Sequence, residues 1–113
     1  MSYIIEDEII KHVEIKENKL ILHFESGRKR LIYDDIKPYD GVRYLSTDDD
    51  LSTIVGGKII SINTREGSID DYFDQHELLF VEIITTKGFL TIVNHNEHDG
   101  HYGGFNLQDE WSK

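Results

Sequence analysis

The sequence predicts an α+β fold in which a mostly antiparallel β-sheet carries one short helix, at about residues 47–55. Two observations support this class. Apolar and polar residues alternate with a period of two along most of the chain, which is typical of half-buried strands. One segment, STDDDLSTIVGG at 46–57, instead begins with capping residues and ends with a pair of glycines. The chain of 113 residues has the length of one domain, so we expect residues 1–113 to form a single domain.

The N-terminal segment, residues 1–34, is expected to form a three-stranded β-meander. HVEIKE, KLILHFE and RKRLIYD each show the alternation of a strand, and the short segments ENK and SG join them as turns. His12 and His23 lie within these strands. We assign them no function, because a lone imidazole at a strand position is more often an edge or solvent-facing residue than a ligand.

The helix is expected within residues 46–57. A serine or threonine can cap its start, three aspartates would fill the first turn, and Gly56 and Gly57 would end it. The unpaired N–H groups of a first turn favour negative charge, which is a sufficient structural reason for the aspartates. Asp49 and Asp50 would bind a ligand only if further groups came from elsewhere in the chain.

Residues 58–108 are expected to supply the remaining strands. KIISINTRE, HELLFVEIITT and FLTIVNH have strand patterns, and GSIDDYFDQ is expected to be a loop. HELLFVEIITT is apolar on both faces, which predicts a central strand. A Lys-Gly turn joins it to the last strand, which places His95 at a strand end where a glycine-rich loop begins.

Composition and charge exclude several classes of function. The net charge is −10 and the only basic cluster is RKR at 28–30, so direct binding to a nucleic-acid backbone is not expected. No apolar run is long enough to cross a bilayer, and the first residues lack the basic segment of a signal peptide. We therefore expect no membrane association and a cytoplasmic location. The absence of cysteine rules out disulfides and thiolate metal sites.

The most unusual segment is NHNEHDGHYGGF at 94–105, which contains three histidines and three glycines. An ordinary turn needs no imidazole, so this loop predicts a binding site. Backbone N–H groups of a glycine-rich loop, backed by His and Tyr, can hold a small anionic or nucleotide-like ligand. The candidate ligand-binding residues are His95, Asn96, Glu97, His98, Gly100, Tyr102, Gly103 and Gly104, together with Asp49 and Asp50.

A metal site in the same loop is the alternative. His95, Glu97 and His98 would supply nitrogen and oxygen ligands, which suit Zn, Mn or Ni without discriminating among these divalent transition metals. The spacing of histidines at 95, 98 and 101 is not itself a coordination signature, because the intervening glycines make a helix improbable. A purely structural loop, with its polar side chains bonded to its own turns, remains open as well.

Two blocks carry a resemblance: VRYLSTDDDLSTIVGGKI, and HELLFVEIITTKGFLTIVNHNEHDGHYGGFNL. Together, over roughly residues 42–107, they resemble a family of short proteins of unknown function, frequent in phages and prophages, with RYxxTDDDLs and HNEHNGYYGGF motifs. The chain departs from these motifs at Asp99, where Asn is expected, and at His101, where Tyr is expected. Cysteines expected near Asp40 and Gly41 are also absent. If relatives carry Tyr in place of His101, a set of three histidines cannot be the shared chemistry.

The resemblance implies a small phage-type accessory protein in the host cytoplasm. We expect it to act by binding, either by sequestering a small host signalling molecule that is nucleotide-like or by inhibiting a host defence protein. A metal-dependent small enzyme or metal-binding protein is the first alternative, and an acidic DNA mimic is the second. The chain has no nucleophile elbow, P-loop or dinucleotide-binding glycine pattern, so catalysis is the less favoured class. Assembly into a homo-oligomer is left open.

Overall fold

A computed structural model describes residues 7–36, 41–70, 75–98 and 104–112. Strands occupy most of these residues. They are β1 (Ile10–Lys16), β2 (Lys19–Phe24), β3 (Lys29–Asp34), β4 (Gly41–Ser46), β5 (Ile59–Asp70), β6 (Gln75–Thr85), β7 (Gly88–His98) and β8 (Leu107–Ser112). No helix in the described part of the chain is long and apolar enough to cross a membrane.

The strands form two antiparallel sheets of four strands each. The first sheet has the order β1-β2-β3-β8, and the second has the order β4-β7-β6-β5. In the first sheet, β1 and β2 are joined at Glu17 and Asn18, which both have positive φ, as the turn of a twisted two-residue hairpin requires. In the second sheet, β6 lies between β7 and β5, so the prediction that HELLFVEIITT is a central strand is confirmed.

The predicted α+β class is wrong, because the described residues contain no α-helix and are nearly all β-structure. The segment expected to be helical, at 46–57, contains a single 3₁₀ turn at Leu51–Ile54. The carboxylate of Asp50 caps this turn by accepting hydrogen bonds from the N–H and the hydroxyl of Ser52, at 2.9 and 2.7 Å. Gly56 then reverses the chain with a φ of 89°. Start and stop signals are both present, but they stand so close together that one turn fills the space.

Tertiary hydrogen bonds also compete with helix formation at the start of this segment. The Thr47 hydroxyl donates to the Thr91 carbonyl at 2.7 Å, and the Asp49 carboxylate accepts from the Thr91 N–H at 2.8 Å. These side chains continue the β4-β7 pairing beyond the last residue of β4. The Thr47 and Asp49 side chains therefore form hydrogen bonds with the backbone of β7 and not with the first turn of a helix.

The hydrophobic core lies between the two sheets and takes side chains from both. Its buried members are Ile10, Val13, Leu20, Leu22, Phe24 and Ile32 from the first sheet, and Ile54, Ile59, Val81, Ile83, Leu90 and Ile92 from the second sheet and its 3₁₀ turn. Burial of one such side chain stabilises the fold by about 1.5–3 kcal/mol. Along β7, the buried positions after Ile92 are occupied by Asn94, Asn96 and His98. The inner face of the sheet thus changes from apolar to polar towards the end of β7.

Two strands are longer than the sequence predicted. β7 continues to His98, so residues 95–98 belong to a strand and the loop begins after them. β5 continues to Asp70 and includes GSID, which was predicted to be loop. The extension of β7 follows from its position, because β4 pairs with it on one side and β6 on the other up to His98. Backbone groups bonded on both edges stay in the sheet whatever the local sequence prefers.

Candidate functional site

The two motif blocks come together because β4 and β7 are neighbouring antiparallel strands. Their register places Tyr44 opposite His95 and Arg43 opposite Asn96. Adjacent residues of a strand point to opposite faces. His95 and Glu97 therefore lie on the outer face of the second sheet, whereas Asn96 and His98 lie on the inner face, towards the first sheet.

The outer face carries a group of polar side chains around His95, which we name the outer histidine cluster: Tyr44, Ser46, His76, His95 and Glu97. The Nε2 atom of His95 lies 2.6 Å from the Ser46 Oγ, and its Nδ1 atom lies 2.8 Å from the His76 Nε2. The His76 Nδ1 lies 4.0 Å from the Glu97 Oε1. The ring of Tyr44 stacks on His95 with centroids 4.3 Å apart and planes 7° from parallel. Polar contacts thus run from Ser46 through both imidazoles to Glu97.

The environment of the cluster favours uncharged forms of two of its rings. Burial lowers the pKa of His95, and the neighbouring His76 lowers it further, while Glu97 acts in the opposite direction. The pKa of Tyr44 is raised by burial, by the charge of Glu97 and by a hydrogen bond with the Glu97 carboxylate. A neutral His95 has one N–H donor and one acceptor nitrogen, so it can take part in either proton transfer or metal binding.

The inner face carries a different group, which we name the inner polar network: Asp34, Arg43, Glu77, His98 and Gly104. His98 Nε2 lies 2.8 Å from one carboxylate oxygen of Glu77, and the other oxygen accepts the N–H of Gly104 at 2.7 Å. The Arg43 Nη1 donates to the Asp34 Oδ2 at 2.6 Å and to the Gly104 carbonyl at 3.0 Å. These bonds attach the chain at Gly104 to the second sheet, which is a structural role.

Burial and hydrogen bonding act in opposite directions on Glu77 in this network. Burial alone would raise the pKa of its carboxyl group, but the N–H of Gly104, the His98 ring and the charge of Arg43 lower it below its ordinary value. The His98 side chain is only 1% exposed. His98 is therefore packed in the interior, with the Glu77 carboxylate as its partner.

The three predicted metal ligands do not converge in this structure. His95 and Glu97 share the outer face, and His98 lies on the inner face with Glu77. Across the described ranges, no group of three or more His, Asp and Glu side chains is arranged to hold a metal ion. This division follows from strand geometry, because side chains alternate between the two faces of a strand. His95 and Glu97 are two residues apart and share a face, whereas His98 is three residues from His95 and lies on the other face.

The other predicted ligand-binding residues have separate positions. Asp49 bonds to the β7 backbone and Asp50 caps the 3₁₀ turn, so both have structural partners. Gly104 has a φ of 91°, and both its N–H and its carbonyl are bonded within the inner polar network. Asn96 is 1% exposed, and its side-chain amide lies 3.5 Å from the Gly104 carbonyl. The predicted residues Gly100, Tyr102 and Gly103 lie outside the described residues.

A cleft of about 290 Å³ opens between the two sheets beside the inner polar network. It is lined by Asn18, Lys19, Tyr33, Asp34, Asp35 and Ile36 on the side of the first sheet, and by Arg43, Tyr44, Leu45, Asn94 and His95 on the side of the second. The Lys19 ammonium lies 4.4 Å from the centroid of the Tyr33 ring. The cleft thus combines an aromatic ring, amides and charges of both signs.

Sequence reasoning missed Tyr44, Ser46 and His76 as site residues, and it missed the cleft. Continued alternation through NHNEH was the available signal, since it would have placed His95 and Glu97 on one face and His98 on the other. For the residues that approach His95 from neighbouring strands, the sequence contained no such signal. Ser46 and His76 approach His95 only through pairing between strands that are distant in the sequence.

Comparison with curated proteins and with solved structures finds no match. A family model described as a domain of unknown function, DUF7448, matches residues 5–107, which include both motif blocks, the outer histidine cluster and the inner polar network. Because the match spans most of the chain, the protein belongs to the DUF7448 family.

Proposed function

We propose that the protein acts by binding, and that its ligand is a small polar molecule without net charge that enters the cleft between the two sheets. The observation that carries this proposal is a cleft of about 290 Å³ whose lining charges balance. In the phage setting that the resemblance implies, such a protein would sequester a small molecule of the host cell.

The size of the cleft limits the class of ligand. Small-molecule sites commonly have volumes of about 300–1,000 Å³, so this cleft is at the lower end of the range. A molecule the size of a nucleoside or an amino acid would fill it. A dinucleotide would extend well beyond it.

The charges of the cleft limit the ligand further. Arg43 is neutralised by Asp34 at 2.6 Å, and both side chains are only 8% exposed. Lys19 and Asp35 then contribute one charge of each sign. A phosphate group would meet as many anions as cations, in a protein whose net charge is −10. The balance favours a neutral or zwitterionic ligand over a nucleotide.

Polar groups in the lining provide hydrogen bonds for such a ligand. Asn94 is 3% exposed, at a position of β7 where the preceding inward residues are apolar, and its Nδ2 donates to the Leu79 carbonyl at 3.4 Å. Asn18 lines the cleft from the β1-β2 turn, and its Nδ2 donates to the carbonyl of Arg43 at 3.4 Å. Amides offer both donors and acceptors, which suits the edge of a nucleobase or an amide.

The test is equilibrium dialysis of the purified protein against a mixture of nucleosides, nucleobases and free amino acids, with the retained compounds identified by mass spectrometry. Wild type should retain at least one compound in saturable amount. Lys19→Met should retain less, because it removes the Lys19 ammonium from the lining of the cleft. Lys16→Met is the matched control, since Lys16 pairs with Lys19 across the hairpin but is exposed and does not line the cleft. Equal retention by all three proteins, or retention by none, would contradict the proposal.

Inhibition of a host protein is the second candidate function, and the exposed outer face of the second sheet supports it. Phe89 is 59% exposed and lies opposite the half-buried Ile84 on β6. Exposed aromatic side chains are frequent anchors of protein interfaces. This function predicts that Phe89→Ser abolishes binding of a purified host partner while Lys19→Met does not. The small-molecule function predicts the reverse for retention of the compound.

A further inference from the structure

We propose that His76 and His95 of the outer histidine cluster form a binding site for a divalent transition-metal ion of the Zn²⁺ type. Two imidazole nitrogens, the His76 Nε2 and the His95 Nδ1, face each other at 2.8 Å. The rings belong to neighbouring strands and come from diagonal positions of the same sheet face, since His76 is opposite Glu97 and Leu78 is opposite His95.

The distance between the two nitrogens is close to the distance between two nitrogens that bind the same metal ion. Imidazole nitrogens bind Zn²⁺ at about 2.0–2.1 Å, so two of them in a tetrahedral site lie about 3.4 Å apart. A small rotation of the rings, which widens the gap by about half an ångström, would admit the ion. Without a metal, one of the two nitrogens must carry the proton that the other accepts. Metal binding would displace that proton.

One of the two remaining ring nitrogens is hydrogen-bonded as the outer nitrogen of a metal-binding histidine usually is, and the other lies near a carboxylate. Such histidines usually direct the other ring nitrogen towards a carboxylate, a carbonyl or a water molecule. Here the His76 Nδ1 lies 4.0 Å from the Glu97 carboxylate, and the His95 Nε2 lies 2.6 Å from the Ser46 hydroxyl. Stacking on Tyr44 holds the plane of the His95 ring. The two facing nitrogens are therefore positioned before an ion arrives.

Two protein ligands leave further coordination positions for water or for a donor atom of a bound molecule. Imidazole ligands suit Zn²⁺, Cu²⁺ and Ni²⁺, whereas Mg²⁺ and Ca²⁺ prefer oxygen. None of Ser46, His76 and Glu97 lines the cleft between the sheets. His95, and Tyr44 that stacks on it, do line the cleft, so the two sites share His95, and His76→Gln is the variant that changes the metal site alone.

A second pair of cross-strand histidines provides the matched control. His12 and His23 are direct neighbours on β1 and β2, with ring centroids 5.4 Å apart. Their Nε2 atoms both approach one oxygen of Glu14, at 3.3 and 3.5 Å. In this pair the carboxylate takes the place between the rings that the ion would take in the outer histidine cluster.

The experiment is calorimetric titration of the full chain, expressed without a histidine tag, with ZnCl₂ and separately with MgCl₂. Wild type should bind one equivalent of Zn²⁺ and no Mg²⁺. His76→Gln and His95→Gln should each abolish that binding, and Ser46→Ala should weaken it about tenfold, as loss of an orienting partner does. His12→Gln should bind as wild type does.

Absence of saturable Zn²⁺ binding by wild type would overturn the proposal. So would loss of binding in His12→Gln with retention in His76→Gln. Nuclear magnetic resonance of wild type covers the case in which a variant does not fold, because the ring signals of His76 and His95 should shift on addition of Zn²⁺. Unchanged signals from these two rings would also overturn the proposal.

Discussion

The inner and outer faces of β7 place neighbouring residues of one motif in two different environments. On the inner face, the His98 side chain is 1% exposed and has the Glu77 carboxylate as its partner in a network of hydrogen bonds. On the outer face, His95 contacts a hydroxyl and a second imidazole, and its neighbour Glu97 is 41% exposed. Histidine thus stabilises the fold at position 98, whereas at position 95 it belongs to a polar cluster that can bind a ligand. A motif on a strand must therefore be interpreted one face at a time.

Removal of Asp34 from the inner polar network is expected to have the largest effect. Asp34→Ala leaves the buried charge of Arg43 without its carboxylate, which should cost about 3–5 kcal/mol of unfolding free energy in urea denaturation. Asp109→Ala is the matched control, because the Arg30–Asp109 pair has the same 2.6 Å separation but its aspartate is 40% exposed. That variant should lose no more than about 1 kcal/mol. Equal losses of unfolding free energy would show that the Asp34–Arg43 pair contributes no more to stability than the Arg30–Asp109 pair.

Alanine substitutions at the two histidines test the comparison directly. His98→Ala should cost about 1–3 kcal/mol in urea denaturation, because it leaves a partly buried carboxylate of Glu77 without one of its partners. His95→Ala should cost less than about 1 kcal/mol, since it removes contacts on a partly exposed face. The reverse order would assign the structural role to the outer face.

Acid denaturation reports on Glu77. Its pKa is lowered in the folded state below the ordinary value of 4.5, so the folded state binds fewer protons than the unfolded state in that range. The stabilisation is therefore present above pH 4.5 and is lost as the pH falls through and below that value. Glu77→Gln should show a shallower decline of unfolding free energy over this range. A decline as steep as that of wild type would place the sensitive carboxylate elsewhere.

The smallest effect is expected at Phe89, which is 59% exposed on the outer face. Phe89→Ser should change the unfolding free energy by no more than about 0.5 kcal/mol, because little apolar surface leaves the interior. Its neighbour Leu90 is fully buried, and Leu90→Ala should cost about 2–5 kcal/mol in the same measurement. Similar values for the two variants would contradict the assignment of the faces.

Local pattern was sufficient for much of the β-structure. Alternation located the strands around Leu22, Ile32 and Ile83, because burial on one face of a sheet imposes a period of two. It failed at 46–57, where helix-capping signals were correctly present but served a single 3₁₀ turn. It also failed at His95, where glycines downstream suggested a loop and pairing with β4 and β6 extended the strand to His98. In both places hydrogen bonds from distant segments outweighed local preference.

The residues of the candidate sites were likewise predicted only in part from the sequence. The histidines of NHNEH were identified from composition alone, because imidazoles are unusual in an ordinary turn. Their partners Ser46 and His76 could not be identified, since the contacts depend on which strands pair and in which register. The cleft requires both sheets and so has no local signature at all.

By itself, the sequence determined the acidic charge, the dominance of strands and the alternation of faces along the strands that it located. These properties are local, because a net charge is a sum and the side chains of a strand alternate along one backbone. Only the tertiary structure decided that β4 and β6 flank β7, that His76 and not His98 meets His95, and that a cleft opens between the sheets. The physical reason is that strand partners are chosen by burial and hydrogen bonding across the whole chain, which no short segment encodes.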